Sequence, residues 1–389
     1  MYSIPVRRLR EVLSHIIPDA TLGPVEELSS PQLPRLYKLT MSDERQLLLS
    51  FAPSLAVRLL RHEATLLSSE ATLLNFVAGS ERGSERTTLS TSGDTHGPTI
   101  LSRLIPILIK HSSNNREMAY PYSIFEPVAG APLSTLAIYL SKSERKIVDK
   151  QLGLMARSLA SLTSPSGTFG LVNRVLVDPF ATKGPATRER LDSRTWSEGF
   201  NTLLEGILRD GEDMAVVLPY SVIRQHFQRL SWRLDAITTP RLVILDIGAD
   251  TNVMVERTPT DVGETKLTGL RTWSQGVFGD PLVSNCFDDA SEGFMEGWKE
   301  GGEEIIEDQE GSDVRILLYR CYRAVVIIVT EYYRSQPDGT RREMEGRRKL
   351  TSTLAELDKI DLEHSDALKR ARDSEIDVES CKRRKLESK

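Results

Sequence analysis

What most constrains this chain is a change of texture near residue 130. Before it, short β-type segments flank one long helical stretch. After it, helical periodicity dominates. The stretches "PVEEL" (24–28), "RLYKLT" (35–40) and "RQLLLSF" (45–51) read as strands, separated by "SSPQLP" and the turn "MSDE". In 58–78, Leu59, Leu66, Leu67, Leu73, Leu74 and Val77 return at helical intervals. Residues 104–111 and 121–128 are two further strand candidates. Helices are expected over 133–141, 144–163, 194–208, 219–236, 289–299 and 312–334, with strand-like pieces at "RLVIL" and at 266–273. The 312–334 segment has a broad apolar face and should be deeply buried. This order predicts a two-lobed α+β protein with a cleft between a small β-rich lobe and a larger helical one.

The expected organisation is an N-terminal helix within 1–19, a small lobe over 20–128, a helical lobe over 129–360 and a charged tail over 361–389. Ser3 and Pro5 suit the start of the first helix, and Val6, Leu9, Leu13, Ile16 and Ile17 share its face. Residues 79–99 are polar and rich in Gly, Ser and Thr, the composition of a mobile insertion. In the tail, Lys369, Arg370 and Arg372 precede "KRRK" at 382–385, the spacing of a bipartite nuclear-import signal and hence of importin binding. Basic tetrads also occur in tails that direct nothing.

The formal net charge of −5 leaves no whole-chain footprint for nucleic acid. Three widely spaced cysteines (Cys286, Cys321, Cys381) argue against a disulfide framework and for a reducing compartment. The N-terminus has arginines where a signal peptide would be apolar. No apolar run is long enough for a membrane span. The expectation is a cytoplasmic protein, or a nuclear one if the tail is read.

Five pieces in order, spanning roughly residues 20–355, carry a resemblance: "LLSF" ending the third strand, "LAVRLLRHEATLLSSEATLL", "IFEPVAGAPLSTL", "LVILDIGADTNVMVE" and "KLTGLRTWSQGVFGDPLVSNCF". Together they resemble the aminoglycoside phosphotransferase and choline-kinase-like superfamily, most of all its fungal-type members. The resemblance implies a bilobal protein-kinase-like fold, ATP and magnesium as cofactors of an active member, and a small-molecule alcohol as acceptor.

Kinase-type phosphoryl transfer rests on positioning and charge neutralisation, and the resemblance places each part. The phosphate-covering turn falls on "SSPQLP", which has no glycine and two prolines that lack N–H donors. The family's strand lysine falls on Ser50, with Lys38 the nearest lysine on a neighbouring strand. The helix glutamate falls on Glu70, with Glu63 second. Matching the strand of the catalytic loop puts the base at Asp246 and one extra residue before Asn252; matching Asn252 instead puts Ile247 at the base. The first register is preferred, because loops absorb insertions. Ile244 then stands where the family has histidine. The second metal aspartate of "IDW" falls on Thr272 in "RTW", beside Arg271, and Asp280 of "GDP" has a supporting role. Asp250 caps the turn.

Candidate site residues are therefore Asp246 as catalytic base, Glu70 and Asn252 at the cofactor, and Asn252 with Asp246 on the metal if the protein is active. Magnesium favours one or two carboxylates beside phosphate oxygens. Each positioned charge lost from such a clamp costs on the order of 10²–10³-fold in rate. The favoured reading is a pseudo-phosphotransferase that binds a small molecule or a protein without efficient ATP chemistry and needs no cofactor. An active ATP:alcohol phosphotransferase built on Asp246 and Asn252, and a nuclear interaction module, remain the alternatives. No "GxSxG", "HExxH" or Walker loop competes, and the six histidines are scattered.

Overall fold

Strands β1 (Leu22–Leu28), β2 (Arg35–Met41) and β3 (Gln46–Phe51) form a meander. With β4 (Leu108–Ser112) and β5 (Tyr122–Phe125) they make an antiparallel sheet in the order β1-β2-β3-β5-β4. The structure, a computed structural model, describes residues 4–28, 33–88, 100–113, 115–180, 193–258, 265–336 and 338–360. Most of the turn "SSPQLP", residues 89–99 and the basic tail lie outside the described residues.

Period-two alternation gives the sheet two faces. Tyr37, Leu39, Met41, Leu47, Leu49, Phe51, Tyr122 and Ile124 face helix α1 (Val6–Ile16), and its Leu9, Val12 and Leu13 complete a separate small core. Leu48 and Phe125, on the opposite face, join the main core. That face is covered by helix α2 (Leu66–Thr88), which buries Leu73, Leu74 and Val77. Residues 79–88, expected in a polar insertion, continue α2; Glu and Arg are good helix formers, and the helix has already been nucleated upstream.

The helical lobe is built from α3 (Lys142–Ala160), α4 (Trp196–Asp213), α5 (Tyr220–Asp235), α6 (Glu292–Glu300), α7 (Ser312–Tyr333) and α8 (339–360). The expected helix over 133–141 is instead two short turns, because Ser141 and Glu144 form a capping box that starts α3 there. Helix α7 buries Leu318, Tyr322, Val325, Ile328 and Val329, as its apolar face predicts. Among the described residues no helix is long and apolar enough to cross a membrane.

Helices α3 and α6 approach closely through glycine. A Cβ on Gly297 would lie 1.9 Å from the carbonyl oxygen of Lys150, and one on Gly153 would lie 2.1 Å from that of Phe294. Gly297→Ala is expected to destabilise the protein by about 1–3 kcal/mol through overpacking against backbone that cannot move aside. A denaturant titration checks this, and an unchanged midpoint would contradict the close approach.

Two small sheets frame the segments that matter for function. Strand β8 (Arg241–Ile244) pairs with β11 (Gly276–Gly279), which also pairs with β7 (Gly170–Leu171). Strand β9 (Val253–Arg257) pairs with β10 (Thr265–Leu270) and with β6 (Ala131–Pro132). The residues between β8 and β9, and those between β10 and β11, therefore lie side by side.

Candidate functional site

The loop 245–252 is held along its length. Leu245 N–H donates to the carbonyl of Gln275 (3.0 Å), and the Leu245 carbonyl accepts from Asn285 N–H (3.0 Å). Asn285 Oδ1 accepts from Gly248 N–H at 2.9 Å. Inside the loop, Ala249 N–H donates to the Asp246 carbonyl and Asn252 N–H to that of Ala249. These turns place Ile247 in the main core, 1% exposed, and leave Asp246 half-buried with Oδ1 enclosed and unpartnered. Burial raises the Asp246 carboxyl to about 6.

Glu70, on α2, is 3% exposed. Its Oε1 accepts from Trp273 N–H at 2.8 Å, while Oε2 is buried without a partner. Burial, with the nearby charge of Asp246 adding to it, pushes its carboxyl up to about 7 against the opposing Trp273 hydrogen bond. The two candidate acids thus feel one another, and among the described residues no lysine, arginine or histidine forms an ion pair with either. Glu63, the second helix candidate, is engaged elsewhere: it pairs with Arg334 and accepts from Leu60 N–H.

Asn252 is 1% exposed and grips the backbone of Thr272. Its Oδ1 accepts from Thr272 N–H (2.9 Å) and its Nδ2 donates to the Thr272 carbonyl (3.2 Å). The Asn252 carbonyl accepts from Arg271 N–H, at 2.8 Å. Arg271 is half-buried, and desolvation holds its guanidinium below the usual range. Ser50, on the inner face of β3, is 2% exposed with Oγ unpartnered. Lys38 lies on β2, opposite Leu48 rather than Ser50. Asp250 pairs with Arg145 at 3.1 Å.

Asp280 is fully buried and accepts from Arg315 Nε (2.8 Å), Tyr319 OH (2.8 Å) and Leu282 N–H (3.1 Å). Arg315 also donates to Asp308 and to the Glu307 carbonyl. This network ties β11 to α7 inside the helical lobe.

The Asn252 amide is spent on Thr272, Thr272 is neutral, and the unpartnered carboxylate oxygens are those of Asp246 and Glu70, both raised acids. Among the described residues no group of three or more His, Cys, Asp or Glu could hold a metal ion. This donor set does not fit a kinase-type magnesium clamp. A feature with no forerunner in sequence lies beside the loop: a cavity of about 490 Å³ reaching from Gly248 to α3, α7 and α8. Its walls include Arg145, Asp149, Asp288, Ser291, Arg320 and Arg323. The apolar spacing of Leu350, Leu354 and Leu357 was the one signal available for α8, its outer wall.

The bilobal fold is similar to that of solved aminoglycoside phosphotransferase and fructosamine-3-kinase-like structures. An aminoglycoside-phosphotransferase-like protein of Ralstonia eutropha JMP134 matches 92% of this chain and 99% of its own, with a TM-score of 0.58 at 10% identity. A fructosamine-3-kinase-like protein of Haemophilus somnus 129PT matches 89% and 97%, with a TM-score of 0.55 at 13% identity. The GDP complex of aminoglycoside 2′-phosphotransferase-IIIa matches 90% and 98%, with a TM-score of 0.51 at 15% identity. No family model matches the chain, and neither does any curated protein.

Proposed function

We propose that this protein is a pseudo-phosphotransferase, a small-molecule binder on a phosphotransferase fold without efficient ATP-dependent phosphoryl transfer. The observation that carries the reading is the double hydrogen bond from the Asn252 amide to the Thr272 backbone, at the place where the resemblance expects a metal-holding pair. The unpartnered Oε2 of Glu70 supports it, since a phosphate-gripping lysine would have filled that role. GDP in a protein of the same fold makes a nucleotide the first ligand to try. Here it would have to bind without a lysine from β3.

ATP with magnesium is expected to give no thermal shift, and Asp246→Asn is expected to leave that result unchanged. A magnesium-dependent stabilisation by ATP that Asp246→Asn weakens would overturn the proposal. It would favour the second reading, an active phosphotransferase with Asp246 as base. One observation speaks for that reading: a carboxyl raised to about 6, with Oδ1 unpartnered, suits a general base near neutrality. We further propose that the basic tail binds importin. Deleting 365–389 should then relocate the protein without altering its ligand binding.

A further inference from the structure

Two guanidiniums lie side by side where α3 ends and β8 begins. Arg157 is 7% exposed, and Arg241 is half-buried. Arg157 Nη2 donates to the Glu303 carbonyl at 2.5 Å, and Arg241 Nη1 donates to the Ala160 carbonyl at 3.1 Å. Arg157 and Ala160 stand three residues apart on α3, so both side chains are anchored at the same turn of that helix. Each charge is felt by the other: burial first, and the Arg241 charge second, hold the Arg157 guanidinium below the usual range.

The two carbonyls fix these head groups without neutralising them. Arg157 Nε and Arg241 Nε are both buried without an acceptor, and among the described residues neither arginine forms an ion pair. The carboxylate that bears on Arg157 belongs to exposed Glu304, whose Oε1 is taken by Ile305 N–H and Ile306 N–H, both at 2.8 Å. Trp298, its ring 6.0 Å from Arg157 Cζ, is a partner only at the outer limit of a cation–π contact. Buried donors and buried charges are costly when unpaired, and folded proteins settle them with water or an ion. Water would serve the N–H groups and leave two like charges together. An oxyanion answers both needs, because its oxygens match the guanidinium edge. The cover over Arg157 is thin. Residues 301–304 are exposed, and a Cβ on Gly301 would lie 2.5 Å from Arg157 Cγ, one on Gly302 3.1 Å from Nη2. The pair is one chain segment away from solvent, within reach of a small ion and not of a large one.

We propose that Arg157 and Arg241 form a binding site for a small inorganic oxyanion of the phosphate class, its oxygens on the two Nε–H groups. Neither arginine lines the cavity beside the loop. The site is therefore independent of the small-molecule reading, and either can fail without the other.

The test is a thermal titration of the full chain with inorganic phosphate, at constant ionic strength set by sodium chloride. Phosphate is expected to raise the melting temperature saturably, with half the effect at about 1 mM or below. Glucose 6-phosphate, too large for the strap, should need at least about tenfold more. Arg241→Gln should raise the phosphate midpoint at least about tenfold, the worth of one charge-assisted contact. Arg320→Gln, in the other cavity, should leave it unchanged. Glu304→Gln keeps an acceptor for the two N–H groups and removes the charge near Arg157, so it should lower the midpoint by about twofold to threefold. Because Glu304 is exposed, that variant carries the test if Arg241→Gln does not fold. The proposal is overturned by a response that does not saturate, that chloride alone reproduces, that glucose 6-phosphate matches or that Arg241→Gln leaves in place. A Glu304→Gln midpoint no lower than the native one overturns it equally.

Discussion

Asp280→Asn is expected to destabilise the protein by about 3–5 kcal/mol, the largest loss from any single polar substitution described above. The side chains of Arg315 and Asp280 are both fully buried, 2.8 Å apart. Removing the carboxylate's charge strands a guanidinium where water cannot reach it. Asp308, 2.9 Å from Arg315 Nη1, holds the figure toward the lower end of that range. Tyr319 OH, which donates to Asp280 and accepts from Trp196 Nε1 at 2.7 Å, would lose part of its own anchoring. Chemical denaturation of the variant checks this. A loss below about 1 kcal/mol would mean that water or Asp308 takes over the charge.

The second large effect runs the other way and depends on pH. Glu70 is raised to about 7 and Asp246 to about 6. An acid whose folded pKa lies above its unfolded value stabilises the fold fully below the unfolded pKa, near 4 for these groups, and loses that contribution as pH rises through the folded one. The native protein should therefore lose stability between about pH 4 and pH 7. Glu70→Gln keeps an acceptor for Trp273 N–H and removes the buried charge. At pH 8 it should be about 2–3 kcal/mol more stable than the native protein, with the gap closing by about pH 4. Melting temperatures of both proteins across that range decide the matter; a gap independent of pH would mean that Glu70 does not titrate there. Asp246→Asn, expected to be silent toward ATP, should show a smaller effect of the same sign.

The fold was legible because its signals are local and repeated. Strands 24–28, 35–40 and 45–51 and the main helices of the large lobe stand within a few residues of their expected places. Strands β9 and β11 were not foreseen. Val253–Val255 follows a polar turn with no room for alternation to register, and "GVFG" is too short and glycine-flanked to read as a strand. The sequence pointed to Glu70, Asp246 and Asn252, and the structure brings the first two near one another. What sequence could not supply was engagement. Whether an asparagine amide faces solvent or grips a backbone depends on the spacing of β8–β9 against β10–β11, which is set by tertiary pairing. The pairing of Asp288 with Arg320 and Arg323 is equally invisible in sequence, because these side chains meet only when the 285–291 segment is laid across α7.

The sheet, rather than the cleft, divides the hydrophobic interior. Helix α1 and the outer face of β2, β3 and β5 keep a core to themselves, while α2 packs into the same core as the large lobe. Mechanically, α2 belongs with the helices below it, and the sheet with α1 is a cap resting on both. A shear of that cap would carry Ser50 across the cleft while Glu70, Asp246 and the Asn252–Thr272 grip stayed in place. Such a shear would slide Leu48 and Phe125 over the main core while leaving the α1 core whole.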